Sequence, residues 1–211
     1  MRRLPVYLLL DVSGSMCGEP IEAVKNGVQI MISKLRLNGQ AQETAYISVI
    51  TFESSAKQII PLTDLSSFQM RDIQAGGGTS LGAALTTVSQ CIDRDVKKTT
   101  ADTKGDWKPI VFILTDGCPT DNWQAGLAEF RKRKTAFTVA CAAGSGADTS
   151  VLKQITENVI RIDTDMDSIE KYFIWLSSTI GIASSKVENT GKEVTGLNEL
   201  PPPPSELNIV V

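Results

Sequence analysis

The chain has 211 residues, enough for one α/β domain with a real core and a short tail. Its formal net charge of -3 excludes the basic surplus of a nucleic-acid binder, and no segment approaches the ~20 apolar residues of a membrane span. Histidine is absent, which excludes Ser-His-Asp and Cys-His nucleophilic sites and the usual His-containing zinc sites; Cys17, Cys91, Cys118 and Cys141 form no CxxC pair and are expected as free thiols in a reducing, cytoplasmic compartment.

Taken in chain order, Leu4 to Leu10 is apolar throughout and predicts a strand buried on both faces. Arg2-Arg3 ahead of it imitates a signal peptide, but the apolar stretch is short, holds Pro5 and runs straight into Asp11. Pro20 to Leu37 predicts a helix, with Ile21, Val24, Val28, Met31, Ile32 and Leu35 at helical spacing and Asn38-Gly39 as its stop. Thr44 to Glu53 and Lys57 to Leu62, joined through Ser54-Ser55, predict an antiparallel hairpin at the sheet edge. Ser80 to Val96 predicts a second helix, Thr99 to Lys108 a polar surface loop, and Pro109 to Thr115 another fully apolar strand.

Trp123 to Lys134 predicts a helix whose closing basic run, Arg131 to Lys134, is expected to complement the helix dipole; the alternative is a phosphate or partner site. Ala136 to Ala143 predicts a strand, Ser150 to Glu157 a short helix, Val159 to Ile162 a final strand and Met166 to Ile182 a last helix. In that helix Ile169, Tyr172, Phe173, Leu176 and Ile180 form a core-facing stripe. The alternation predicts a doubly wound, Rossmann-like three-layer α/β/α fold. Its six-stranded sheet is mostly parallel, with one antiparallel edge strand. Residues 1–183 form the domain and 184–211 a polar tail, stiffened by Pro201 to Pro204. The end of the tail, Leu207 to Val211, is expected to pack back on its own domain; the alternative is pairing with a sheet edge of this chain or another.

Three segments carry the chemistry. Asp11-Val12-Ser13-Gly14-Ser15-Met16 follows the first strand, Gly76-Gly77-Gly78-Thr79-Ser80 opens a helix, and Asp116-Gly117 follows the strand ending at Thr115. The carboxyl ends of parallel strands are where ligands bind, and the two strands are expected side by side where strand order reverses. Asp11, Ser13, Ser15, Thr79 and Asp116 then face one space. All are oxygen donors, which suits a hard cation such as Mg²⁺, with Mn²⁺ or Ca²⁺ also admissible. Ser13, Ser15 and Thr79 are expected to ligate directly, while Asp11 and Asp116 ligate or hold the metal's waters. Neutral direct ligands leave the divalent charge poorly balanced, so one position attracts an Asp or Glu of a protein partner.

Other readings are weaker. Asp11 after an apolar strand resembles the nucleophile of haloacid-dehalogenase phosphatases, but the general acid expected two residues on is Ser13. The run from Gly76 to Gly82 is followed by Ala83, not by the lysine of a phosphate loop. Asp121 is expected to cap the helix that follows it. Cys17 and Cys118 lie just past two metal-site segments and are expected as unconnected loop residues; the alternative is that they meet on one face as a redox or soft-metal pair.

Asp11-x-Ser13-x-Ser15, Gly78-Thr79 at a helix start and Thr115-Asp116-Gly117 together resemble the metal-ion-dependent adhesion site of von Willebrand factor A domains, in matching α/β alternation over residues 4 to 183. The resemblance implies that fold and a metal-dependent protein–protein interaction rather than catalysis. Within the family, Asp-Val-Ser-Gly-Ser-Met-x-Gly-x-Pro, Thr-Asp-Gly-x-Pro-Thr-Asp and the Pro-rich end are similar to the bacterial tellurite-resistance branch. That likeness implies a cytoplasmic stress-response system with a protein kinase and a PP2C-type phosphatase as partners.

Overall fold

The apolar run after Arg3 forms β1 (Leu4–Asp11), buried at every position, in a computed structural model that describes residues 2–204 and 207–210. The elements that follow are α1 (Glu19–Arg36), α2 (Gly39–Thr44), β2 (Ala45–Phe52), β3 (Ala56–Asp64), α3 (Leu81–Asp95) and β4 (Ile110–Thr115). Then come α4 (Trp123–Phe130), β5 (Phe137–Ala143), α5 (Thr149–Ile155), β6 (Val159–Ile162), α6 (Met166–Thr190) and β7 (Asn208–Ile209).

The sheet runs β3-β2-β1-β4-β5-β6-β7, parallel except for β3 against β2 and β7 against β6. Successive side chains of a strand face opposite ways, and β1 shows the consequence. Val6, Leu8 and Leu10 join the core under α1 and α6, whereas Tyr7 and Leu9 join the core under α3 and α4. This is the expected three-layer α/β/α architecture. Strand order reverses between β1 and β4, which pair in register from Val6↔Ile110 to Leu10↔Leu114.

The structure departs from the sequence reading at four places. The described sheet has seven strands and a second antiparallel edge, because the tail returns as β7 beside β6. α1 stops as expected, but Asn38 also starts something: its side chain accepts from the Ala41 N–H and caps α2. α4 ends at Phe130, so the basic run lies beyond it; Ala136 N–H must reach the Pro109 carbonyl to start β5 beside β4. α6 continues past Ile182 to Thr190 and ends at Gly191, whose φ of 65° is the left-handed cap.

The tail packs on its own domain. Val194, Leu200 and Leu207 are buried in the α1–α6 core, and the Trp175 indole N–H donates to the Pro201 carbonyl at 3.0 Å. Glu193 accepts from the Lys108 N–H and pairs with its ammonium at 2.7 Å. Val210 N–H donates to the Val159 carbonyl, while Val211 lies outside the described residues. Among the described residues no helix is long and apolar enough to cross a membrane.

Candidate metal centre

β1 and β4 end side by side, which brings the loops after them together. Asp11 is fully buried at the end of β1. Its Oδ1 accepts from the Ser13 N–H at 2.8 Å and its Oδ2 from the Thr115 hydroxyl at 2.5 Å. The loop after β1 makes one turn of 3₁₀ helix, Gly14–Met16, and this turn carries Ser15 towards β4. Ser13 Oγ and Ser15 Oγ are 3.0 Å apart, and the Ser15 hydroxyl donates to Asp116 Oδ1 at 2.7 Å.

Thr79 enters from the loop ahead of α3. The Gly76 and Gly77 segment lies against the first loop through Gly76 N–H to the Val12 carbonyl and Gly14 N–H to the Gly77 carbonyl. Gly77 has φ 75°, and a Cβ there would collide with Glu53 and Ser54, so the close approach requires glycine. A Cβ placed on Gly117 would sit 3.2 Å from Thr79 Oγ1 and 3.9 Å from Ser15 Oγ, which puts both hydroxyls at one spot beside Asp116. All five residues singled out from the sequence thus converge.

Burial pushes the Asp11 carboxyl above its usual range, against hydrogen bonds from Ser13 and Thr115, and the Asp116 charge adds to the rise. Burial does the same to Asp116, against the bond from Ser15. Among the described residues neither carboxylate forms an ion pair with Lys or Arg. Two desolvated acids and three hydroxyls, with no compensating cation, fit a hard divalent ion held by oxygen. Among the described residues no three His, Cys, Asp or Glu side chains form a metal-binding group; hydroxyls are three of the five donors of this set.

One expectation needs correction. Asp121 caps α3, the helix before it in the chain: its carboxylate accepts from the Gly82 and Ala83 N–H groups at 3.0 and 2.9 Å. Asn122 caps α4 instead. Cys17 and Cys118 are exposed free thiols in loops, set against the Ala75 and Gly146 carbonyls respectively at 3.5 Å. Sequence reasoning gave no role to Thr115 or Thr120. Thr115 holds Asp11, and Thr120 brackets Thr79, accepting from its N–H and donating its own N–H to the Thr79 carbonyl. The run Thr-Asp-Gly-x-Pro-Thr-Asp contains both threonines, and its hydroxyl at each end was the available signal.

A family model described as von Willebrand factor type A domain matches residues 6–173. The uncharacterized protein sll0103 of Synechocystis sp. is 32% identical over 123 residues, covering 55% of this chain and 26% of that protein. The E3 ubiquitin-protein ligase WAVH1 of Arabidopsis thaliana is 30% identical over 131 residues, covering 54% and 18%. The chain therefore spans about a quarter or less of the length of these relatives. Among solved structures, proximal thread matrix protein 1 from the mussel byssus, with a zinc-occupied MIDAS motif, superposes with a TM-score of 0.60 at 19% identity, covering 87% of this chain and 46% of that one. That likeness bears on the fold.

Proposed function

Because the chain belongs to the von Willebrand factor type A domain family, we propose that it is a metal-dependent protein-binding module and not a catalyst. Domains of this family are commonly interaction modules. The observation that carries the reading is the hydrogen-bonded oxygen set Ser13–Ser15–Asp116, with Asp11 beneath it and, among the described residues, no Lys or Arg paired to either carboxylate. In this reading Ser13, Ser15, Thr79, Asp11 and Asp116 hold a divalent ion, Mg²⁺ by the hardness of the donors. The bound ion supplies a coordination position that attracts a carboxylate, and an Asp or Glu of the partner fills it. The chain's own residues do the rest: Thr115 and the Ser13 N–H fix Asp11, Thr120 fixes Thr79, and Asp121 anchors the start of α3. The binding module extends through the end of α6 at Thr190, and the tail that packs back on it follows Gly191.

The finer setting is also proposed. The segments Asp11 to Pro20 and Thr115 to Asp121 are similar to those of the bacterial tellurite-resistance branch. On that likeness the module serves a cytoplasmic stress-response system whose protein kinase and PP2C-type phosphatase are its partners. The phosphatase alternative has no acid where it needs one, since Ser13 stands there and its hydroxyl is engaged with Ser15.

The test is a pull-down of candidate partners with wild type and Asp11→Ala, with Mg²⁺ and with chelator. Capture should require Mg²⁺ and be lost both in Asp11→Ala and on chelation. A complex indifferent to chelator overturns the mechanism, and phosphatase turnover abolished in Asp11→Ala restores the enzyme alternative.

A further inference from the structure

The pole opposite the metal centre gathers positive charge that the metal site does not use and the ion pairs of the fold take up only in part. α3 and α4 lie side by side and end there, and the Arg131 guanidinium donates to the Gln154 carbonyl at the end of α5 at 2.8 Å. The end of α3 carries Arg94, Lys97 and Lys98, and Arg131 to Lys134 follow α4. Carboxylates take up part of this charge. Asp95 pairs with Arg94 at 2.6 Å, Asp93 with Arg133 at 2.5 Å, and Glu129 with Lys132 and Arg133 at 2.5 and 3.1 Å. Lys97, Lys98, Arg131 and Lys134 are exposed, and among the described residues they form no ion pair.

The two basic stretches share one surface. Arg133 bridges from beyond α4 to Asp93 on α3, and the Asp93 carboxyl feels both the Arg133 hydrogen bonds and the charge of Lys98. Ala136 N–H bonds the Pro109 carbonyl, closing the loop that starts at Lys97 onto the segment after α4. The helix dipole accounts for Arg94 in the last turn of α3, but its influence fades beyond the end of a helix. Lys98 and Lys134 stand past the capping residues Val96 and Arg131.

We propose that this basic pole is a docking surface for a short acidic segment of a protein partner, separate from the partner held at the metal centre. In a chain of net charge -3, the local positive excess leaves the rest of the surface more negative than the total. A long polyanion is repelled wherever it extends past the patch, whereas a short acidic segment is not. The surface is a set of exposed ammonium groups beside the Arg131 guanidinium, so recognition acts through steering and weakens with salt. β4 joins the two poles, and its six residues put them about 20 Å apart at ~3.3 Å per residue, so both occupants fit at once.

The proposal does not depend on the metal reading, and its test is run in chelator. A short fluorescein-labelled Glu/Asp-rich peptide is titrated with the intact chain in EDTA and followed by anisotropy. Binding should persist in EDTA and weaken from low salt to ~0.15 M. The triple variant Lys97→Glu/Lys98→Glu/Lys134→Glu should lose about tenfold or more in affinity with unchanged thermal unfolding, since none of these side chains is ion-paired. The corresponding triple arginine variant should bind as wild type. Binding that needs Mg²⁺, equal binding by the glutamate variant, or tighter binding to an oligonucleotide or to anionic lipid vesicles overturns the proposal.

Discussion

At the residue scale, Asp11 decides how the centre behaves without metal. Its carboxylate satisfies the Ser13 N–H and the Thr115 hydroxyl, yet it is buried and pushed towards the protonated form. These two effects separate in mutants. Asp11→Ala leaves both donors unpaired in a buried site, at roughly 1–3 kcal/mol. Asp11→Asn keeps an acceptor for Ser13 and removes the desolvated charge. Calorimetry in EDTA should therefore rank Asp11→Asn at or above wild type, with Asp11→Ala below, and Mg²⁺ should raise the melting temperature of wild type alone. The reverse order in EDTA would mean that Asp11 has a compensating partner. The residue types of this centre were legible in the sequence, because Asp and Ser just past apolar runs, and Thr after a glycine run at a helix start, are local features. Their holders were not: Thr115 finds Asp11, and Thr120 finds Thr79, only across separate loops.

At the element scale, close helix crossings position the segment of the centre that carries Thr79. α3 and α4 meet at Gly82 and Gly126, where a Cβ on Gly126 would lie 2.7 Å from the Gly82 Cα. Backbone cannot yield as a side-chain tip can, so Gly126→Ala should cost about 1–3 kcal/mol or more by urea unfolding. It should also weaken Mg²⁺ binding, since α3 starts directly after Thr79 and Ser80. Gly39→Ala, with open space around it, is the control and should be near neutral. α1 and α6 show the same device: a Cβ on Gly27 would lie 2.8 Å from Phe173 Cγ. Helical periodicity revealed these helices and their apolar faces. It did not reveal that α4 stops at Phe130, since Arg and Lys continue a helix readily and only the start of β5 beside β4 forbids it.

At the scale of the whole molecule, the tail closes the β6 edge and covers part of α6. Removing residues 192–211 uncovers the core positions taken by Val194, Leu200 and Leu207. At about 1.5–3 kcal/mol per fully buried side chain, an upper bound, the loss should be large. The truncated chain should melt lower and associate with rising concentration as the bared edge pairs. Acid should loosen the same contact. Burial raises the Glu193 carboxyl, but the bonds from Lys108 outweigh it and hold it below the usual range. A depressed carboxyl stabilises above its unfolded pKa and loses that contribution as pH falls through its folded one. Limited proteolysis should therefore cut the tail faster below the ordinary carboxylate range than at neutral pH. The sequence by itself determined the alternating elements, the doubly wound layers and the three oxygen-bearing loops, because period, burial pattern and loop chemistry are written in neighbouring residues. Only the tertiary structure decided the seventh strand, the cap that Asp121 places on α3 and the basic pole. Each of these depends on segments distant in sequence meeting in space, and no local pattern records which will meet.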